Sequence, residues 1–325
     1  MARVLVLGGT KFLGRAITEA ALVAGHQVTL FNRGTTNPDL FPQAEHLRGD
    51  RTSDLSALEG QEWDSVIDVA AYEPEVAQLS AEALQDRVAR YVFVSTVSVY
   101  AAHDKPDDQL EDAAVLRLED AKDDGELYGA RKAVCEAIVQ EVYGDRAIIG
   151  RPGLIVGPND PTDRFDYWPR RLSIGGRVLG PGTPKDPVQF IDVRDVAAWL
   201  VNAATDHVVG VFNLVGVPMR FADLIEACRV PSVDAEVVWV GSELLVLEGV
   251  EEWMGIPLWI ASDGWRAANR VDGRRAIAAG LQLRPVADTV EASRANPPHE
   301  SSEAISLERE QQLLQRFARD PKPFS

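Results

Sequence analysis

Tyr128-Gly129-Ala130-Arg131-Lys132 puts a phenol and an ammonium four residues apart. On a helix that spacing sets both side chains on one face. A free phenol titrates near pH 10 and is a poor base at neutrality. A nearby ammonium lowers that value. A tyrosine so tuned can exchange a proton with an alcohol or carbonyl oxygen. The lysine can also hydrogen-bond the ribose beside a nicotinamide ring and so position it. Tyr and Lys meet at this spacing by chance on many helices, so the pair needs company. Val92-Phe93-Val94-Ser95-Thr96-Val97-Ser98-Val99-Tyr100 supplies it, reading as a strand that runs out into hydroxyls. Ligands of open α/β sheets bind beyond the carboxyl ends of strands. Ser95, Thr96 and Ser98 compete to hold a substrate oxygen, and local capping is the plainer role for the other two.

A second constellation lies at the start of the chain. Val4–Leu7 reads as a buried strand, and Gly8-Gly9-Thr10-Lys11-Phe12-Leu13-Gly14 follows it and opens a helical pattern. A phosphate needs backbone N–H groups, close approach without a Cβ, and the positive end of a helix. Gly8 permits the tight turn, Gly9 the approach to a pyrophosphate, and Gly14 the packing of helix on sheet. A Gly-rich loop alone is weak evidence, but its place between the first strand and first helix strengthens it. The second strand ends in Phe31-Asn32-Arg33-Gly34, with no acid to accept from a ribose 2′-hydroxyl. Arg33 suits a 2′-phosphate, with Lys11 in the loop below, so NADP(H) is favoured over NAD(H). A solvated turn residue is the plainer reading of Arg33. Gly49-Asp50-Arg51 follows a third strand, where Asp50 can accept from an adenine amino group. Asp68-Val69-Ala70-Ala71-Tyr72 ends a fourth, where small residues let the backbone lie against the adenosine ribose.

The elements that must position these residues follow an α/β pattern. Strands are expected at Val4–Leu7, Val28–Phe31, Val66–Ala70, Tyr91–Ser95 and Ala147–Ile149, with a helix over Phe12–Ala24. Near-continuous β-branched runs separated by helices predict a parallel sheet covered on both faces, the Rossmann-type doubly wound α/β fold. After Gly150 the chain turns rich in Pro, Gly, Asp and Arg, with a short helix near Asp166–Ile174. Phe190–Asn202 returns to strand and helix character. From about Val215 a smaller lobe begins, holding four of the seven tryptophans: Trp239, Trp253, Trp259 and Trp265. Ser306–Phe317 reads as a terminal surface helix. Two lobes are expected: residues 1–157 with about 188–214 for the dinucleotide, and 158–187 with 215–325 for the substrate.

Composition bounds the rest. The 325 residues carry a net charge of −17, which disfavours polyanion binding. No apolar run has membrane-spanning length, and the start of the chain lacks a signal-peptide pattern. The two cysteines, Cys135 and Cys228, make neither a metal cage nor a disulfide framework. A reduced, cytoplasmic protein without metal, membrane or nucleic-acid partner is expected. Arg164, Tyr167, Trp168 and Arg171 can line a substrate pocket, with Arg171 facing a phosphate or carboxylate. Trp253 and Trp259 can form an aromatic wall. Core packing is the default for each Trp, and solvation is an equal reading of each Arg.

Five segments in order resemble the extended short-chain dehydrogenase/reductases of the NAD(P)-dependent epimerase/dehydratase superfamily. They are Leu7–Gly14, Phe93–Tyr100, Tyr128-x-x-x-Lys132, Arg151-Pro152-Gly153-Leu154-Ile155-Val156-Gly157-Pro158 and Phe190-Ile191-Asp192-Val193-Arg194-Asp195-Val196-Ala197. The resemblance covers roughly residues 1–200. It implies Thr96 as the hydroxyl that holds the substrate oxygen, Tyr128 as general acid/base and Lys132 as its partner. It also implies Arg151, Pro152 and Gly153 beside the nicotinamide, and a possible homodimer through the Tyr128 helix. Lys11 stands where the family usually has a glycine, as in an atypical subgroup with a Gly-Gly-Thr-x-Phe-x-Gly loop. The expected activity is an NADPH-dependent carbonyl reductase or alcohol dehydrogenase on a small organic or sugar-like substrate. The alternative is a nucleotide-sugar epimerase or dehydratase that recycles its NAD(P). Val97 and Ser98 stand where a 4,6-dehydratase would carry two acids, which argues against that branch. A non-catalytic NADP-sensing or RNA-binding protein is a third reading, disfavoured by the charge and by the intact Tyr/Lys/Thr set.

Overall fold

The computed structural model describes residues 1–103, 109–206, 208–265, 267–297 and 304–319. The first half alternates strands and helices: β1 (Arg3–Leu7), α1 (Phe12–Val23), β2 (Gln27–Asn32), β3 (Glu45–Arg48), β4 (Trp63–Asp68), α2 (Pro74–Leu84), β5 (Val88–Val94), α3 (Asp124–Tyr143) and β6 (Ala147–Pro152). Then come β7 (Ile155–Val156), α4 (Tyr167–Ile174), β8 (Gly176–Pro181), β9 (Pro187–Val188), β10 (Ile191–Asp192), α5 (Val193–Thr205) and β11 (Gly210–Leu214). The remainder holds β12 (Met219–Arg220), α6 (Phe221–Ala227), β13 (Ala235–Val240), α7 (Ser242–Leu247), α8 (Arg274–Ala278), α9 (Val286–Arg294) and α10 (Leu307–Arg319).

Seven strands form one sheet in the order β11-β6-β5-β4-β1-β2-β3, and every neighbouring pair is parallel. The sheet is therefore the expected Rossmann-like doubly wound α/β arrangement. Parallel strands need crossover connections that cover both faces, and alternation along β1 records this. Val4 and Val6 pack towards α1 and α5, while Leu5 and Leu7 pack towards α2 and α3. All four are buried.

Order reverses between β1 and β4, the place where open α/β sheets bind ligands. Register brings the loops out at one edge. Leu7 pairs with Phe31 and with Asp68, Asp68 pairs with Phe93, and Val94 pairs with Gly150. The chain therefore leaves β1, β2, β4 and β5 side by side after Leu7, Asn32, Asp68 and Val94. β6 runs to Pro152, beyond the expected Ile149, because β11 pairs with it up to Leu214↔Pro152.

A separate apolar cluster lies beyond that edge. It joins Val156, Phe165, Trp168, Leu172, Val188, Phe221, Trp259 and Leu313, among others. β8 and β13 pair in parallel beneath it. Among the described residues no helix is long and apolar enough to cross a membrane.

Candidate active site

One cavity of about 1100 Å³ runs from the loop after β1 to the tryptophan-bearing segments near the chain's end. Small-molecule sites usually fall within roughly 300–1,000 Å³, so this one has room for a cofactor and a substrate together. Its walls include Gly8, Gly9, Thr10, Lys11, Phe12, Leu13 and Gly14, with Asn32, Arg33, Ala70 and Tyr72. Ser95, Thr96, Ser98, Tyr128, Lys132, Pro152, Gly153 and Arg164 continue them.

The loop fits a pyrophosphate. Gly8 and Gly9 hold φ of +115° and +97°, angles that side-chain-bearing residues rarely adopt. A Cβ on Gly9 would lie 2.7 Å from Leu30 Cδ2. Asn32 Nδ2 donates to Gly8 O at 3.1 Å, and Asn32 Oδ1 accepts from Gly34 N and from Arg48. Asn32 therefore ties the glycine loop to the turn after β2. Arg33, in that turn, is exposed. Lys11 precedes α1 with no side-chain cap on the helix's first amides.

Thr96 and Tyr128 meet across this cavity. Thr96 Oγ1 accepts from Ser98 N and donates to Ser98 Oγ, both at 3.1 Å, and it lines the cavity together with Tyr128, close enough for its hydroxyl to act on the phenol. The approach depends on Gly129, a residue the spacing argument passed over as filler. A Cβ there would lie 2.0 Å from Ser98 O, so only glycine lets α3 close on the turn after β5. Ser95 Oγ is buried at the same wall with no hydrogen-bond partner among the described residues, a donor available to a bound group.

The expected lowering of the phenol by the ammonium is not what the geometry produces. Lys132 Nζ donates to Ala71 O at 2.8 Å and Val94 O at 2.6 Å, and it lies 4.1 Å from the Phe93 ring centroid. Burial lowers its pKa to about 8. Tyr128 keeps 37% of its surface exposed. Even so, desolvation of its phenol, with Tyr72 beside it, pushes its pKa up to about 12. The neighbouring Thr96 hydroxyl and the charge of Arg164 pull the other way and lose. At neutral pH Tyr128 thus keeps its proton.

Several expected site residues do not line the cavity. Asp50 turns back on its own loop, accepting from Thr52 N and Thr52 Oγ1 at 3.0 and 2.7 Å. Arg51 forms a two-pronged pair with fully buried Asp68, at 2.6 and 2.7 Å. Burial alone would raise that carboxyl, but Arg51, the Tyr91 hydroxyl and Ala70 N together hold it below the usual range. Ala71 contributes its carbonyl to Lys132 and nothing to the wall. Arg151 pairs with buried Glu136 at 2.6 Å and donates to Glu111 O at 3.0 Å. Tyr167 and Trp168 belong to the second core, where Trp168 Nε1 donates to Pro257 O. Arg171 is buried against Glu310 at 2.7 Å. Of the two tryptophans considered for an aromatic wall, Trp253 lines the cavity and Trp259 is core.

Sequence reasoning missed the far end of the cavity. Gln189, Phe190, Trp265, Asn269 and His103 line it, and His103 stacks on Trp265 with centroids 4.4 Å apart. Phe190 opens the fifth of the family-like segments, which gave it no site role; the others come from segments with no motif, so nothing local marks them.

Residues 4–214 match the NAD dependent epimerase/dehydratase family. The chain belongs to that family. This NAD-dependent epimerase/dehydratase family member is 27% identical, over 245 residues, to the chloroplast stem-loop binding protein of 41 kDa b of Arabidopsis thaliana. The match takes in 70% of this chain and 62% of that relative's length. It is 28% identical, over 237 residues, to the epimerase family protein SDR39U1 of Bos taurus, covering 65% of this chain and 73% of that one. Among solved structures, UDP-N-acetylglucosamine 4-epimerase from Bacillus cereus superposes with a TM-score of 0.66 at 19% identity, over 90% of this chain and 98% of that one. The Bordetella bronchiseptica enzyme WbmH in complex with NAD⁺ gives 0.65 at 18%, over 90% and 96%. At such identities the likeness is one of fold. The family member's Gly8–Gly14 loop and Tyr128 lie within the matched span.

Proposed function

We propose that this family member carries out reversible hydride transfer at a secondary alcohol or carbonyl of a sugar-like substrate. The nicotinamide dinucleotide would be used and restored within one catalytic cycle, as nucleotide-sugar epimerisation requires. The observation that carries the reading is the meeting of Thr96 and Tyr128 on the cavity that also holds the Gly8–Gly14 loop. Family membership supports it, as does a cavity with room for two ligands.

The dinucleotide, when bound, supplies the hydride donor and acceptor. Gly8, Gly9 and the start of α1 would hold its pyrophosphate, and Pro152 and Gly153 would back the nicotinamide. Thr96 Oγ1 would hold the substrate oxygen. In the reducing direction Tyr128 Oη gives its proton to that oxygen as the carbon accepts hydride. In the oxidising direction the same oxygen returns it. A phenol raised to about 12 keeps its proton at neutral pH, so Tyr128 has a proton to give in the reducing half and needs its pKa lowered by bound ligands to take one in the oxidising half. Lys132, fixed by two carbonyls, would donate its remaining N–H to the nicotinamide ribose.

A second reading, a dissociable NADPH-dependent reductase, is favoured by one feature. The turn after β2 presents Arg33 and no acid, a pattern suited to a 2′-phosphate. Two measurements separate the readings. Dinucleotide released on denaturation is identified by mass spectrometry, and product formation from UDP-sugars is followed together with nicotinamide absorbance. Retained cofactor and turnover without net absorbance change support recycling. An empty protein that consumes NADPH stoichiometrically supports the reductase and removes the first reading.

A further inference from the structure

Four lysine or arginine side chains line the cavity: Lys11, Arg33, Lys132 and Arg164. Lys11 and Arg33 belong to the dinucleotide end, and Lys132 is held by Ala71 O and Val94 O. Arg164 remains for the substrate end, and its placement is built rather than incidental. Asp160 is 4% exposed, and its Oδ1 accepts from Thr162 N at 2.8 Å and Thr162 Oγ1 at 2.7 Å. Thr162 Oγ1 in turn accepts from Arg164 Nε at 3.2 Å. Among the described residues that is the hydrogen bond Arg164 makes, so its two Nη groups carry no protein partner. A guanidinium steadied through Nε presents the Nη pair as a planar fork.

The acids nearby leave that charge available. Asp160 gives one oxygen to Thr162, and burial raises its carboxyl while Thr162 and the charge of Arg164 pull it down, so it acts on the guanidinium at a distance, and among the described residues it forms no ion pair with it. Glu252, the acidic residue on the wall, accepts from Ala261 N, Ser262 N and Ser262 Oγ.

We propose that Arg164 selects a substrate bearing a carboxylate or phosphate on the same small molecule as the reacting carbinol, with its two Nη groups receiving the anionic oxygens. The inference rests on the reading of Thr96 and Tyr128 as the reacting end, since Arg164 shares their cavity. It narrows the substrate class to acidic or phosphorylated polyols.

The test is a titration of the full chain, loaded with NADPH, with D-glucuronate, D-glucose 6-phosphate and D-glucose. Binding is followed by tryptophan fluorescence, because Trp253 and Trp265 line the same cavity. One of the two acids should bind at least about tenfold more tightly than glucose, and which one does so separates carboxylate from phosphate. Arg164→Gln should remove that preference. Arg164→Lys should keep part of it, as a point charge without the fork, and serves if the glutamine variant does not fold. Equal binding of all three probes, including no detectable binding of any, overturns the inference. So does an acid preference that survives in both variants. The same titration without NADPH reads the preference even if no dinucleotide binds, a result that would remove the oxidoreductase reading alone.

Discussion

Tyr128 and Lys132 sit as the spacing requires, yet their electrostatics differ from what the spacing suggests. The ammonium turns to Ala71 O and Val94 O, so burial governs the phenol. Tyr128→Phe should therefore abolish turnover while leaving dinucleotide affinity within about twofold, because it removes one proton donor and no cofactor contact. Rates beside equilibrium titrations check this, and retained turnover would remove Tyr128 from its role. Lys132 makes a second prediction with a definite sign. Its folded pKa, about 8, lies below its ordinary value of 10.5. Between those values the unfolded chain binds the proton and the folded one does not, so stability rises with pH across that window. The cost is fully present below about pH 8 and fades towards the unfolded value. Lys132→Met, measured by urea denaturation from pH 7 to 10, should flatten that slope relative to wild type. Arg33 offers a third test. Arg33→Ala should weaken NADPH by about tenfold or more and NADH little, and equal losses would make Arg33 a solvated turn residue.

At the scale of elements, the glycine loop and the strand ends were legible because their signals are local. A turn needs Gly8 and Gly9 whatever packs later, and register then delivers Ser95 and Thr96 to the same edge. Gly129 was invisible for the opposite reason. It is required by the carbonyl of Ser98, on another element, and helical spacing says nothing of that contact. Gly129→Val should force α3 away from the turn after β5. A loss of about 1–3 kcal/mol is expected, with activity falling further than stability, read by denaturant midpoint and rate together. Asp50 and Arg51 illustrate the converse. The place of Asp50 after β3 suggested an adenine contact, but its carboxylate turns back to Thr52, and Arg51 serves buried Asp68. Removing it strands a buried carboxylate, so Arg51→Ala should cost about 3–5 kcal/mol. The Asp68 contribution would be present above the ordinary carboxylate range and lost as pH falls through its depressed folded value. Thermal melts from pH 7 to 3 should then show the variant's deficit shrinking with acid.

Across the whole molecule, the chain divides its chemistry between a sheet edge and a second apolar cluster, with one cavity between them. The sheet-side half could be read because short motifs occur in a fixed order. The far half could not. Arg171 and Glu310 lie 139 residues apart, and no pattern in either segment announces the pair. Arg171 reads as an anion anchor only while its partner is unknown. Tyr167 and Trp168 likewise look like pocket residues until Phe221 and Pro257 are seen against them. Arg164, a few positions away, faces the cavity because the Asp160–Thr162 turn holds it there.

Whether this cavity holds a nicotinamide dinucleotide is read by equilibrium titration of the full chain and its Gly9→Ala variant with NADPH and NADH, with folding checked by circular dichroism. A Cβ at Gly9 meets Leu30 and strains a φ of +97°. Binding near one dinucleotide per wild-type chain is expected, with at least tenfold weaker binding by a folded variant. Absence of dinucleotide binding in wild type, or equal affinity in the folded variant, would contradict the assignment of this cavity to a nicotinamide cofactor.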